Sequence, residues 1–566
     1  VSFNIEIGLQ LVQELALLAL PLVAATMCAA WLGLRSLVLL VGVALAASGA
    51  SAMLILWAFF ATPEVGKTLT FLIELGSVAS IVVLIRNPAA RAPLREMATP
   101  FALWILASVF ITFLGFLHGT NGMPLELAGH RFSGTLPNDN ALPAVFADWF
   151  YLHGHHGVSP PFGDWISSDR PPLQTGYVLA VRPFGWDEPG NHYTLLGIGL
   201  QMLWIPGMWA LLRAANLGPR LRSLILIGAM FSDVTIIHGF FVWPKLLGAA
   251  FLLAAAAMVF SPEWKSLVRD PRAAVLFAAL CTLGMLSHGS SAFLLIPLLI
   301  FAFWRALPNW RWIAGAAATA LLLYVPWSAY QHYKDPPGTR LEKWQLGGDD
   351  EINEKGVVPT IVHGYREEGL GGTISNKWTN IQAIVGVGEV RAVVDGTSGH
   401  EGTGSLRHTV EDLRFVRFFG LLPFLGFLLL GPLALAIRAA VDRGGGRGPE
   451  WRFAQRAGSL TLAATLFWAL LMFGNEISEA VMHQGCLAVP LIAVAVCIAA
   501  AYAVDSRFAL GLVAFNVIFV LALYVPSLVP PPETSYSAFA GLVAAIAFVV
   551  FLWIAWRPPW ASWPAT

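Results

Sequence analysis

Charge is scarce in this sequence: Asp, Glu, Lys and Arg make up 12% of its 566 residues, against 57% apolar. A soluble domain carries about twice that share of charge, so an ordinary solvated surface is excluded and the chain reads as an all-α polytopic membrane protein. The 34 basic and 34 acidic residues cancel, which leaves no global field for nucleic acid or an anionic surface partner. Cysteine is nearly as sparse. Cys28, Cys281, Cys486 and Cys497 all fall inside apolar runs without CxxC spacing. That disfavours a disulfide framework or a zinc site, and packing is the expected role. There is no P-loop, no GxGxxG and no nucleophile–base arrangement. No convincing internal duplication suggests a transporter built from repeats. The first apolar run follows Glu6 without a basic stretch before it, so no secretory signal is expected at the N-terminus.

Apolar runs of roughly membrane length are abundant. They cover residues 9–31, 37–61, 68–86, 99–118, 194–212, 223–243, 246–260, 273–287, 291–304, 312–328, 416–437, 457–474, 485–504, 508–527 and 537–556, about fifteen expected spans. Lys and Arg sort the connectors between them. With the N-terminus outside and the C-terminus cytoplasmic, Arg35, Arg86, Arg91, Arg213, Arg222, Arg269 and Arg438 all fall on the inner side, and short outer connectors hold just Lys67 and Lys245. Both long polar segments, 119–193 and 329–415, then lie outside. All thirteen histidines lie in these segments, in outer connectors or in the outward half of a span. Long polar segments kept by a membrane protein usually carry function, so chemistry is expected on the outer face. An integral membrane protein of the bacterial inner membrane fits this pattern.

In "PNDNALPAVFADWFYLHG", apolar residues after Asn140 recur at Leu142, Val145, Phe146, Trp149 and Phe150. This is the stripe of a helix lying in the interface plane. Asn140 is the expected cap, with Pro143 in the first turn, so Asp139 stands at the membrane surface just before a helix start. The stretch "SSDRPPLQTGY" repeats the design: Ser168 or Asp169 caps, Pro171 and Pro172 open the helix, and Leu173, Tyr177, Val181 and Phe184 share one side. Together the two predict a shelf of surface helices bearing carboxylates just above the lipid. Asp148 lies off the apolar stripe and is expected in solvent.

An acidic residue soon after a span, two juxtamembrane helices, and Arg170-Pro171-Pro172-Leu173 resemble the first external loop of the GT-C superfamily of membrane glycosyltransferases. In lipid A aminoarabinose transferases and protein O-mannosyltransferases the motif reads Lys-Pro-Pro-Leu or His-Pro-Pro-Leu. The likeness covers about residues 99–415. It divides the chain into an N-terminal extension of three spans (1–98), a seven-helix module (99–328), an external cap (329–415) and C-terminal spans (416–566). Many relatives carry a paired acidic motif, where this chain has Asn138-Asp139-Asn140. The resemblance implies an inverting transfer of sugar from a polyprenyl-phosphate donor to an external glycan, lipid or protein acceptor. Asp139 would be the general base, and Arg170, Lys245, Asp169 and His288 are candidates for holding substrate and phosphate.

His153, His155 and His156, with Asp164, are weak candidates for a divalent metal, the one cofactor considered, because their spacing matches no defined metal motif. Asp233 and Glu74 fall inside spans, where an ionisable group is a functional hypothesis by default. In a transporter or flippase, the leading alternative, these two and His238 would line a path through the bilayer. A polysaccharide polymerase or ligase is a further alternative. The second long segment, rich in Gly and charge, reads as a cap of mixed or irregular structure; the resemblance implies that it covers the active site, which makes Arg340, Lys343, Trp344 and Lys377 candidate acceptor contacts, with solvated surface the expected role of any one of them. The first three spans could dock a protein partner, and membrane lipids surround the whole.

Overall fold

The computed structural model describes residues 2–119, 124–132, 136–185, 189–387, 410, 413–414, 417, 420–441, 448–474, 485–526 and 536–557. Among these residues there is no β-strand, and helices account for nearly all the secondary structure. The order begins α1 (Ser2–Trp31), α2 (Leu37–Ala61), α3 (Pro63–Leu84), α4 (Pro88–Gly115), α5 (Pro124–His130), α6 (Leu142–His153), α7 (Leu173–Val181), α8 (Pro189–Gln201) and α9 (Trp204–Ala214). It continues α10 (Pro219–Met230), α11 (Asp233–Phe241), α12 (Lys245–Phe260), α13 (Trp264–Leu267), α14 (Pro271–Ser287), α15 (Ala292–Arg305), α16 (Trp310–Ala329), α17 (Arg340–Gly347) and α18 (Val357–Val385). The C-terminal helices are α19 (Leu421–Leu425), α20 (Leu430–Val441), α21 (Pro449–Leu471), α22 (Ala488–Val504), α23 (Ser506–Tyr524) and α24 (Ala538–Trp556).

Among the described residues ten stretches are long and apolar enough to cross a membrane, and α10 with α11, bent by 56° at their junction, would make eleven. This establishes an integral membrane protein. Three apolar helices at positions of expected spans are shorter: α12, α14, and the run containing α15. At 1.5 Å per residue, the 16 residues of α12 reach about 24 Å, short of a bilayer core of about 30 Å. The fifteen apolar runs therefore correspond to helices, but not all of these meet the length and hydropathy expected of a span.

Helix starts are written locally. In Thr62-Pro63, Asn87-Pro88 and Asp270-Pro271 a capping side chain precedes a proline whose missing N–H costs nothing at that position. Thr62 accepts from the amide of Val65 (3.2 Å), Asn87 from Ala89 (2.9 Å) and Asp270 from Arg272 (2.9 Å).

The core is built around α12, "KLLGAAFLLAAAAMVF", buried over its whole length against α2, α9 and α14. Its alanines allow close approach, the usual device where lipid is as apolar as any side chain. A Cβ on Gly207 of α9 would come within 2.6 Å of the Ala250 carbonyl of α12. Helix α2 packs on α1, α3, α7, α12 and α14, so the first helices are part of the bundle. Helix α3 by contrast leaves Leu72, Leu75, Val82 and Val83 exposed, as lipid-facing residues are.

The expected shelf is corrected in two respects. Helix α6 forms with the predicted apolar stripe, but Asn140 does not cap it; a short 3-10 turn, Asn138–Ala141, precedes it instead. Helix α7 does not lie on a surface. Its sequence "LQTGYVLAV" has no charged face, and it is buried against α2, where a Cβ on Gly176 would sit 2.5 Å from the Ala52 carbonyl. The described part of the second long segment is also more regular than expected, since α17 and the 29-residue α18 occupy much of it.

Candidate functional site

The two long segments meet at one end of the bundle, around residues 139, 165, 170 and 335. Asp139, in the turn before α6, is buried. Its Oδ2 accepts from Arg170 Nη2 and its Oδ1 from the Trp243 indole Nε1 at 2.8 Å. Lys245 places its Nζ 4.0 Å from the Trp243 ring centroid and acts electrostatically on Asp139. Burial pushes the Asp139 carboxyl above its ordinary value, while Arg170, Lys245 and the Trp243 hydrogen bond oppose the rise.

The stretch "FVWPKLL" presents Trp243 and Lys245. Helix α11 ends at Val242, which adopts a left-handed conformation (φ 58°, ψ 22°) unusual for a β-branched residue and costing about 1–3 kcal/mol. Two neighbours hold it there. Gln174 donates to the Val242 carbonyl at 2.9 Å, and Gly197 leaves room that a Cβ would fill, 2.6 Å from Val242 Cβ. Pro244 then separates α11 from α12, with Lys245 as the first residue of the buried helix. A cation at this position adds to the positive end of a helix dipole instead of offsetting it, an arrangement that suits an anion.

A chain of polar side chains fixes the floor of the site. Gln201 accepts from the Leu247 amide (3.1 Å) and donates to Gln174 (3.2 Å), which in turn donates to the Tyr193 hydroxyl (2.8 Å). Tyr193 donates to the Asn140 carbonyl (2.5 Å), and the Asn140 side chain donates to the Phe241 carbonyl (3.3 Å). Three backbone groups that the α11–α12 break releases, the Phe241 and Val242 carbonyls and the Leu247 amide, are thereby satisfied.

Arg170 also stacks on Trp165 at 4.2 Å, and Arg340 from α17 lies 5.0 Å from the same ring. Arg340 donates to the Asp164 carboxylate (2.6 Å) and approaches Asp169 at 3.9 Å. Asp169 is buried, accepts from the Ile166 amide at 3.0 Å, and has its carboxyl pushed up to about 6 by desolvation. The two segments are joined by Asp335, whose carboxylate accepts from the Ser167 hydroxyl and from the Ser168 amide (3.1 Å). Tyr330, just after α16, hydrogen-bonds the Ser167 hydroxyl at 2.5 Å. Burial likewise raises Glu342, which interacts electrostatically with Asp169 and, at the end of α16, with Tyr324.

Two hollows adjoin this cluster. A small one of about 10 Å³, the size of a single water, is walled by Trp57, Phe60, Phe150, Trp327 and Tyr330 and reaches Arg170. A far larger apolar groove, about 870 Å³, runs between α14, α15 and α16 past Phe277, Cys281, Met285, Leu299 and Phe303, and ends at Tyr324. The large hollow thus approaches the cluster through Tyr324, which interacts electrostatically with Glu342.

His288 is buried at the start of α15's lead-in turn, where its Nδ1 faces the Ser290 amide (3.2 Å) and hydroxyl (3.0 Å). Cys486 joins it, 3.0 Å from the Ser291 hydroxyl, and senses the charge of Lys245. His288 therefore belongs to a layer next to Lys245.

Other expected residues have structural roles. Lys343 Nζ donates to Asn353 at 2.7 and 2.9 Å, and Trp344 packs on the small core of Phe293 and Trp468. Lys377 donates to the Tyr365 hydroxyl and the Met472 carbonyl, each at 2.5 Å, and Asn380 donates to Ala469 and Met472, so α18 caps the carboxyl end of α21. Asp148 is not free in solvent but pairs with Arg182 at 3.0 Å. His153 stacks on Trp149, His155 Nδ1 lies 2.7 Å from the Ala61 carbonyl, and Asp164 is taken by Arg340. Among the described residues no group of three His, Cys, Asp or Glu is placed to hold a metal ion.

Asp233 forms an ion pair with Arg417, which donates through Nε at 2.9 Å and Nη2 at 2.5 Å. Sequence reasoning also missed a second buried pair, Glu14 of α1 with His192 of α8 at 2.7 Å. Glu74 is buried with Oε2 making no hydrogen bond. The missed members of the cluster are Trp165, Trp243 and Asp335. The neighbourhood of Lys245 in "FVWPKLL" could have drawn attention to Trp243, whereas nothing local marks Asp335.

No family model matches the chain, and no curated protein or solved structure is found to match it.

Proposed function

We propose that the protein is a GT-C-type membrane glycosyltransferase that moves a sugar from a polyprenyl-phosphate donor to an acceptor on the non-cytoplasmic face, with inversion. The observation that carries this reading is the Asp139–Arg170 pair. A buried carboxylate with a raised proton affinity is bonded to a guanidinium that also stacks on Trp165, where both long segments converge.

The chemistry needs three functions from these residues. Arg170, aided by Lys245 and the amino end of α12, takes the donor phosphate; Arg170 Nε is buried without a hydrogen-bond partner, leaving donor capacity. Its engagement by phosphate releases Asp139. Asp139 then accepts the proton of the acceptor hydroxyl as that oxygen attacks the anomeric carbon. The carbon–oxygen bond to phosphate breaks, and the electron pair leaves with polyprenyl phosphate. A base of this kind contributes about 10² to 10⁴ in rate. The groove between α14, α15 and α16 suits an isoprenoid tail in size and polarity. In this reading Arg340 and Asp169 line the acceptor side. The transport alternative loses its main residue, because Asp233 is committed to Arg417.

The test is release of polyprenyl phosphate from a panel of polyprenyl-phosphate sugars by purified protein in proteoliposomes. Asp139→Asn is expected to fold normally and lose at least 10²-fold in turnover. Undiminished turnover in a folded Asp139→Asn protein refutes the reading.

A further inference from the structure

A third cavity, about 560 Å³, opens at the end of the bundle opposite the two long segments. It is formed by connectors distant in sequence: Arg35 and Ser36 before α2, Glu96 on α4, Arg213 on α9, Arg222 on α10 and Glu263 before α13. Three guanidinium groups against two carboxylates leave one positive charge in excess. Arg213 and Arg222 are close enough to repel each other. Their neutralisation is incomplete: Arg213 reaches Glu96 only at 3.5 Å, and Glu96 is itself 59% exposed. Arg222 Nε is buried with no hydrogen-bond partner. Arg35 spends one N–H on the Ala89 carbonyl at 3.1 Å.

The backbone adds donors to the same space. Leu37 and Val38, the first residues of the 25-residue α2, line the cavity, and the first amide of that helix bonded back into it is Leu40 to the Ser36 carbonyl (2.9 Å). The Ser36 side chain makes no cap. Free helix-end amides and convergent guanidinium groups are complementary to the oxygens of a tetrahedral anion.

From these contacts we infer that this cavity binds a phosphate group, carried either by a membrane phospholipid or by a soluble phosphate. The site is separate from the Asp139 cluster and does not depend on the glycosyltransferase reading. Its volume is many times the roughly 30 Å³ of one water in the liquid, so it accommodates a headgroup as well as a bare anion. Glu96 competes with the ligand for Arg213.

Binding is measured on the purified full chain, by native mass spectrometry with short-chain phosphatidylglycerol in one arm and by calorimetry with inorganic phosphate in the other. Arg213→Gln with Arg222→Gln is expected to weaken binding at least tenfold. Glu96→Gln is expected to tighten it. Saturation by lipid alone identifies a membrane phospholipid, and saturation by inorganic phosphate a soluble ligand. Binding of neither, or a Glu96→Gln protein that binds no tighter than wild type, overturns the proposal. The Glu96→Gln arm decides even where the double arginine variant fails to fold.

Discussion

Replacing Arg417 by Leu tests the inner wiring of the bundle. The Asp233 side chain is wholly buried and that of Arg417 is 5% exposed, and two of the guanidinium's N–H groups go to one carboxylate oxygen. Arg417→Leu leaves a buried carboxylate without its counter-charge, which costs about 3–5 kcal/mol. Asp233→Leu is expected to cost less, about 1.5–3 kcal/mol, because the Arg417 guanidinium keeps the Pro423 and Phe424 carbonyls at 3.2 and 3.0 Å. The double variant removes both charges together. It is therefore expected to be more stable than the sum of the single losses by about 1–3 kcal/mol. Thermal unfolding of the detergent-solubilised protein, followed by tryptophan fluorescence, reads all four proteins. Strictly additive losses would mean that the two side chains do not interact, and the assignment of Asp233 to structure instead of transport would fall with them.

The Asp169 carboxyl is raised from 3.8 to about 6. The unfolded chain therefore ionises first, and the associated stability, ~3 kcal/mol at 1.36 kcal/mol per unit, is complete below about pH 4 and lost as pH rises through 6. Asp169→Asn should flatten the melting temperature of the protein between about pH 4 and 6; an unchanged slope contradicts the burial argument. Lys377→Ala removes two bonds that hold α18 on the end of α21, so hydrogen exchange across residues 357–385 should accelerate with little change in global melting. Unaltered exchange there would mean that α18 is held by other contacts. His155→Ala with His156→Ala should leave any divalent-metal response of donor turnover intact, since His155 is bonded to the Ala61 carbonyl and the two rings lie against each other, tilted by 35° with centroids 4.2 Å apart. Loss of that response would restore the metal reading.

The positions of the membrane helices were legible because two signals coincide in the chain: long apolar runs, and starts such as Thr62-Pro63 and Asn87-Pro88, whose caps act over three residues. The amphipathic stripe of α6 was legible from its 3.6-residue period alone, since the expected Asn140 cap does not form. The burial of α7 was not, because a short uncharged helix has the same sequence pattern in an interface as in a core; what decides is its contact with Ala52, 124 positions away from Gly176. Asp139 and Arg170 were picked out by neighbouring residues, but their bond to each other crosses 31 positions and Trp243 lies 104 from Asp139. Asp335 reaches Ser167 across 168 positions, and Arg417 reaches Asp233 across 184. No local periodicity records such pairings. Lys343 and Lys377, charged residues of a long polar segment, were expected at a solvated surface with acceptor contact as the alternative, yet short-range and helix-end hydrogen bonds account for both.

The most direct measurement is a cryo-electron microscopy structure of the purified protein with a polyprenyl-phosphate lipid bound. The account predicts a phosphate within hydrogen-bond distance of Arg170, that residue released from Asp139, and a tail running toward the groove of α14, α15 and α16. A phosphate bound elsewhere, with the Asp139–Arg170 pair unbroken, would contradict it.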